Sequence, residues 1–210
     1  DHYTYRVKHL LDKKDEGVIY VLSKVLDSWI RLLAPFTPHS CEELWSAYGG
    51  EGFVSEAAWP EYDESLIDEE IIKSEELVQN IVKDINEIKN IVDKEPEKVH
   101  IYLSPDWKWE LYRIADEVGK PDVGQIIGKA IGANINDNKK EIANAAKKLA
   151  KEITKTKYIG RIDEANILAD AKDFIEEEIS SELIIHTDDS YDPQNKARNA
   201  MPYKPAIFME

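Results

Sequence analysis

The sequence is poor in the residues from which disulfides, zinc sites and membrane spans are built. Its 210 residues include a single cysteine, Cys41, which excludes an internal disulfide and any zinc site made of several cysteines. The longest unbroken apolar run covers only residues 18–22, whereas a membrane-spanning helix needs about 20 apolar residues. We therefore expect no membrane span, and we interpret Cys41 as a buried structural thiol.

Patterns that carry catalysis or hold cofactors are also missing. Neither of the glycine-rich loops that cradle phosphate groups occurs, and no nucleophile stands beside an obvious base. The five histidines are scattered without the spacing of a metal-binding motif. They are His2, His9, His39, His100 and His186. We therefore expect no catalytic residue, no metal site and no cofactor within this chain.

Basic residues are scarce, because 27 lysines and arginines face 42 acidic residues and the formal net charge is −15. This balance argues against a simple nucleic-acid-binding protein. The charge is unevenly distributed, however: residues 61–97 carry 13 acids and 4 bases, whereas residues 136–161 carry 3 acids and 8 bases. Because binding to a polyanion depends on the local field as well as on net charge, one basic segment could still bind nucleic acid.

The apolar pattern changes near residue 98. Before it the spacing is helical, with a corner at residues 34–38, where Thr37 and Pro38 are predicted to begin a new helix, and one long amphipathic helix from about residue 65 to residue 92. After it come predicted strands at 98–103, 183–187 and 205–209, with helices between them. We predict an α-helical bundle over residues 1–97, followed by a small α/β domain over residues 98–210 with about three short strands and several helices.

Within the α/β half, some predictions concern single residues. Ser104 is expected to cap a helix whose buried stripe includes Trp107, while Trp109 lies on another face and is the tryptophan that packing explains least. A single helix is predicted over about residues 163–179.

The most basic stretch is a predicted helix over about residues 137–157. At 100° per residue, five lysines share one face opposite the apolar residues around Leu149. This lysine face consists of Lys140, Lys147, Lys148, Lys151 and Lys155. Such a face can simply keep a helix soluble, or it can follow the phosphates of a nucleic acid, extended by Lys157 and Arg161. The sequence alone leaves both interpretations open.

A second candidate is the stretch of residues 191–199, which contains Tyr191, Lys196 and Arg198. Two cations and an aromatic ring could contact RNA by charge and stacking. The same composition is also that of an ordinary connecting loop.

Several motifs in the chain are familiar. Residues 29–39 (WIRLLAPFTPH) and 42–45 (EELW), with Trp59 and Pro60, resemble the helical anticodon-binding domain shared by class I leucyl-, isoleucyl-, valyl- and methionyl-tRNA synthetases. Residues 99–102 (VHIY), 106–109 (DWKW), 191–193 (YDP) and 200–210 (AMPYKPAIFME) resemble the C-terminal extension of archaeal-type leucyl-tRNA synthetase. The resemblance covers nearly the whole chain.

The resemblance implies a C-terminal fragment of a cytoplasmic leucine–tRNA ligase, with a helical domain truncated at its N-terminus. In that family the catalytic core, which uses ATP, and the editing domain lie upstream, and the chain opens at Asp1 without an initiator methionine. The implied partners are the upstream domains and tRNA(Leu), bound through its body and its long variable arm. Charge, rather than the family's motifs, suggests the RNA contacts: Lys140, Lys147, Lys148, Lys151, Lys155, Lys157, Arg161, Lys196 and Arg198.

One alternative belongs to a different functional class. The acidic residues of 61–97 could meet a basic partner, which would make the chain an acidic protein-interaction module of a synthetase assembly.

Overall fold

The fold combines eight α-helices with one three-stranded sheet, in a computed structural model that describes residues 7, 15–93, 95–119, 122–154, 157–187 and 191–210. Helices alone come first, and the strands appear from residue 98 onward. This order confirms the predicted fold class. The chain divides into two compact units, Asp1–Ile67 and Asp68–Glu210. Within the described residues, no helix is long and apolar enough to cross a membrane.

The first unit contains α1 (Glu16–Leu33) and α2 (Pro38–Tyr48), which meet at the predicted proline corner. Cys41 is buried against Ile30, Ala34 and Val54, as expected of a structural thiol. Thr37 takes the N-cap position of α2 and Pro38 its first helical position, as predicted, although the Thr37 hydroxyl caps no backbone N–H and lies 3.4 Å from the Leu33 carbonyl oxygen.

The second unit begins with α3 (Glu69–Val92), whose first turn is capped by the Asp68 carboxylate. Apolar residues of α3, among them Val78, Ile81 and Ile85, belong to the core of this unit. The compact unit therefore starts at Asp68, although the sequence pattern changes only at residue 98. The division into compact units thus falls between residues 67 and 68, whereas the sequence pattern changes at residue 98. The functional boundary at 97/98 stays a prediction.

The sheet has the strand order β2-β1-β3, with β1 (Lys98–Tyr102) in the centre. β2 (Glu182–His186) runs parallel to β1, and β3 (Ala206–Met209) runs antiparallel to it. On one face, Val99, Ile101 and Leu183 join the helices in the main core. Because β1 pairs with both β2 and β3, it fixes the two ends of the connection between those strands. That connection carries part of the candidate site.

Five further helices complete the second unit. They are α4 (Asp106–Val118), α5 (Val123–Gly132), α6 (Lys139–Glu152), α7 (Glu164–Asp170) and α8 (Lys172–Ile179). The single helix predicted over residues 163–179 is wrong: Ala171, with φ −91° and ψ 0°, separates α7 from α8. Alanine is a strong helix former, so the sequence contains no breaker to reveal this junction.

The start and buried face of α4 differ from the prediction. The helix begins at Asp106 with Pro105 in the cap position, and the Ser104 hydroxyl is buried with no partner among the described residues. Trp109, which packing was expected to explain least, is buried and meets the Tyr203 ring edge-on at a centroid distance of 5.0 Å. Trp107 is only half-buried. Helix α4 therefore packs on two sides, which a single apolar stripe does not indicate.

Candidate nucleic-acid interface

The basic helix α6 has the two faces that the sequence predicts. Asn138 caps its first turn by accepting hydrogen bonds from the backbone N–H groups of Lys140 and Glu141. Its apolar side is buried through Ile142, Ala145, Ala146, Leu149 and Ala150. On the opposite side Lys140, Lys147, Lys148 and Lys151 are exposed. Lys155 lies outside the described residues, and the role of the whole lysine face stays a prediction.

The two cations predicted to extend this face are both engaged with carboxylates. The Lys157 Nζ lies 2.6 Å from a Glu69 carboxylate oxygen, and the Arg161 guanidinium lies 2.6 Å from an Asp106 carboxylate oxygen. Exposed pairs of this kind contribute about 0–1 kcal/mol, so a phosphate group can replace the carboxylate at small cost. These cations are available to an anion, but less directly than the lysines of α6.

The loop that carries Lys196 and Arg198 is held from within by two charged side chains. The Asp192 carboxylate accepts hydrogen bonds from the backbone N–H groups of Lys196 and Ala197, at 2.7 and 2.8 Å. Lys108, with only 3% of its surface exposed, donates to the carbonyl oxygens of Arg198 and Ala200, at 2.8 and 2.6 Å. Charge-assisted bonds of this kind are stronger than neutral ones, so the loop is firmly fixed.

The next turn, Met201 to Lys204, is closed by two backbone hydrogen bonds of 2.9 Å. Tyr203 occupies it with φ +62°, a left-handed conformation that is uncommon for a bulky residue. The Tyr203 hydroxyl donates to the Gly160 carbonyl oxygen and accepts from the Ile159 N–H. These side-chain contacts, together with a hydrogen bond from the Tyr203 N–H to Glu164, hold Tyr203 in a conformation that otherwise favours glycine.

A buried carboxyl group, Glu164, holds the same turn. It is 4% exposed and accepts a 2.8 Å hydrogen bond from the Tyr203 N–H. Burial raises the pKa of Glu164 to about 7, although the backbone N–H groups of Tyr203 and Ser104 and the charge of Arg161 act in the opposite direction. The buried side chains of Lys108 and Glu164 thus fix the backbone of this segment at Arg198, Ala200 and Tyr203.

The fixed segment and α6 come together in one groove. The Lys148 Nζ lies 3.2 Å from the Asn199 side-chain oxygen, which joins the lysine face to the loop across 51 residues of sequence. Beside this contact is a cleft of about 650 Å³ between α3, α6 and residues 196–207, which we call the lysine groove. The charged and amide side chains of its lining are those of Lys73, Asn80, Asp84, Lys148, Lys151, Glu152, Lys196, Asn199 and Lys204.

The structure thus brings together only part of the predicted set. Lys148, Lys151 and Lys196 line the groove, whereas Lys140, Lys147, Lys157, Arg161 and Arg198 do not. Lys204 and the buried supports Lys108 and Glu164 were not among the predicted residues. Lys204 belongs to the motif of residues 200–210, but its place in the groove depends on the turn of residues 201–204.

The other face of the sheet carries an aromatic and histidine cluster. His100 Nδ1 lies 2.9 Å from His186 Nε2, and Tyr102 stacks on His186 at 5.0 Å. In the part of the chain that the structure describes, no three His, Cys, Asp or Glu side chains are placed to hold a metal ion.

Comparison with known proteins gives consistent matches. Residues 1–102 match the family model described as the anticodon-binding domain of tRNA ligase. The whole chain is 47% identical over 210 residues to the leucine–tRNA ligase of Methanothermobacter thermautotrophicus, of which it covers 22%. Over 94% of its length it is 39% and 42% identical to the leucine–tRNA ligases of Pyrococcus abyssi and Pyrococcus furiosus, of which it covers 20% each. The chain thus spans about a fifth of the length of the curated relatives it matches.

Proposed function

Because this chain belongs to the archaeal-type leucyl-tRNA synthetases, we propose that it is the tRNA-recognition part of a leucine–tRNA ligase. In this proposal it docks tRNA(Leu) so that a catalytic core outside this chain can attach leucine with the use of ATP. The catalytic and editing sites lie in the part of the enzyme that this chain does not span. The upstream domains of the same enzyme are its second partner, and the cytoplasm is its compartment.

The observation that carries the proposal is that the similarity is continuous. The match to leucine–tRNA ligases runs through both units, including the α/β part beyond the anticodon-binding model that ends at residue 102. The first part of the chain therefore indicates a tRNA ligase, and the continuation indicates the leucine enzyme. The exposed lysines of α6 and the lysine groove provide a surface suited to RNA.

The division of labour follows from the two halves. The helical half supports the body of the tRNA, and the α/β half grips the long variable arm. Contacts made far from the reacting atoms can orient the acceptor end, which turns binding energy into selection of the correct tRNA. Recognition of this kind uses phosphate positions and RNA shape, so it needs placed cations rather than contacts to anticodon bases.

The test is a fluorescence anisotropy titration of the chain against three tRNAs at fixed salt. They are tRNA(Leu), the same tRNA with a shortened variable arm, and the same tRNA with an altered anticodon. We expect the shortened arm to weaken binding at least tenfold and the altered anticodon to change it less than twofold.

Equal affinity for the long-armed and short-armed tRNAs would refute the role of the variable arm. If no tRNA binds, the acidic protein-interaction module becomes the better hypothesis. In that case a basic partner should bind through the acidic residues of 61–97.

A further inference from the structure

We propose that the lysine groove binds the sugar–phosphate backbone of one RNA strand, with Lys204 and Asn199 as contacts alongside Lys148, Lys151 and Lys196. This inference rests on the proposed function and locates it more narrowly. The outward part of the lysine face, Lys140 and Lys147, lies outside the groove and is assigned no such contact.

The charge of the groove is the first argument. Four lysines of the lining, Lys148, Lys151, Lys196 and Lys204, form no ion pair with any residue that the structure describes. Lys73, by contrast, is paired with Glu76 at 2.8 Å. The acids of the lining are Asp84 and Glu152. In a chain of net charge −15 the groove is thus locally positive, and a cleft concentrates such a field more than a flat surface does.

The shape and composition of the groove are the second argument. Besides the cations, the lining includes apolar residues, among them Leu149, Met201 and Pro205. A sugar–phosphate chain presents both charged and apolar parts, so it matches such a lining better than a small anion does. The volume of about 650 Å³ is in the range of clefts that enclose ligands larger than a single ion.

The rigidity of one wall is the third argument. Lys108 holds the carbonyl groups of Arg198 and Ala200, and Glu164 holds the N–H of Tyr203. Asn199 and Lys204 lie on this fixed segment, and Asn199 contacts Lys148 on α6. The backbone positions of Asn199 and Lys204 are therefore set before RNA arrives, which reduces the ordering cost of binding.

The test compares two double variants of the same charge change in the full chain. The groove variant is Lys151→Ala with Lys204→Ala, and the matched control is Lys129→Ala with Lys139→Ala, two exposed lysines outside the groove and outside the predicted contacts. All four side chains are exposed, so both variants should fold, and thermal melting by circular dichroism verifies this. Binding of tRNA(Leu) and of its short-armed form is measured by anisotropy at salt concentrations from about 50 to about 200 mM. Over this range, affinity that comes from phosphate contacts falls steeply.

We expect the groove variant to bind tRNA(Leu) about tenfold more weakly. The slope of log affinity against log salt should fall by about 1 to 2, as for the loss of one or two phosphate contacts. The control should lose less than twofold. An equal loss in both variants, or no loss in the groove variant, would overturn the groove while leaving the proposed function intact.

The short-armed tRNA separates the remaining cases. If both tRNAs bind equally and the groove variant weakens both, the groove holds an RNA strand but the variable-arm role fails. If the unaltered chain binds neither tRNA, both proposals fail.

Discussion

Glu164 is a buried side chain that links two distant segments of the chain. It is a carboxyl group within the core, and its bonds to the backbone N–H groups of Tyr203 and Ser104 tie together two connections distant in sequence. Removal of water destabilises its charged form, which is why the pKa rises to about 7. Arg161, Asp106 and Asp163 line a second cleft together with Glu164, separate from the lysine groove.

The pKa of Glu164 predicts a specific pH dependence. Because the native pKa is raised above the unfolded value, its contribution to stability is complete below about pH 4.5 and is lost as the pH rises to about 7. The rise of the pKa from 4.5 to about 7 corresponds to about 3 kcal/mol of unfolding free energy. Glu164→Gln keeps an acceptor for the Tyr203 N–H but cannot ionise, so it should remove this part of the pH dependence.

The measurement is urea unfolding of both proteins at pH 5 and pH 8. The fall in unfolding free energy between these values should be smaller in the variant by about 2 to 3 kcal/mol. Parallel pH profiles would show that Glu164 does not ionise in this range. Asp163→Asn, which alters an exposed acid of the same cleft, serves as the control.

At the scale of the element, α6 separates packing from charge on opposite faces. Its apolar residues are buried, whereas Lys147, Lys148 and Lys151 are exposed. Substitutions on such a surface usually change stability by about 0.5 kcal/mol or less each. A helix of this kind can be recharged without being unfolded.

We therefore predict that changing Lys147, Lys148 and Lys151 together to Glu weakens tRNA binding by more than tenfold while the unfolding free energy falls by about 1 kcal/mol. Part of that loss comes from new acids placed near the C-terminal end of the helix. Calorimetry and anisotropy measure the two effects, and the same triple change to Gln controls for repulsion. A variant that does not fold would show that the lysine face is packed.

The same helix shows which features the sequence could predict. The buried residues of α6 and the three strands follow from periodicity, which depends on neighbours in the chain. The lysine groove could not be predicted, because it joins α3, α6 and Lys204 through contacts between distant segments. Trp109 and Lys108 were missed for the same reason: their partners, Tyr203, Arg198 and Ala200, lie about 90 residues later.

At the scale of the whole molecule, the compact units and the change in sequence pattern do not coincide. Helix α3 precedes the pattern change at residue 98, but its residues Val78, Ile81 and Ile85 belong to the core of the second unit. Residues 68–210 should therefore fold as an independent unit, whereas residues 98–210 lack one wall of the core.

Expression of these two fragments tests the boundary. We expect the fragment starting at residue 68 to melt cooperatively and the one starting at residue 98 to aggregate or bind a hydrophobic dye. Burial of four or five aliphatic side chains of α3 corresponds to several kcal/mol, comparable to the whole stability of a small domain. Equal stability of both fragments would show that α3 is dispensable.

The central position of β1 also sets an order of events during synthesis. Its parallel partner β2 comes about 80 residues later, and its antiparallel partner β3 includes Met209. On the ribosome, β1 must therefore wait with both edges unpaired, and exposed strand edges are where chains associate wrongly. The helices synthesised between β1 and β3 are charged. Their charge can limit association with other nascent chains until β3 has been made.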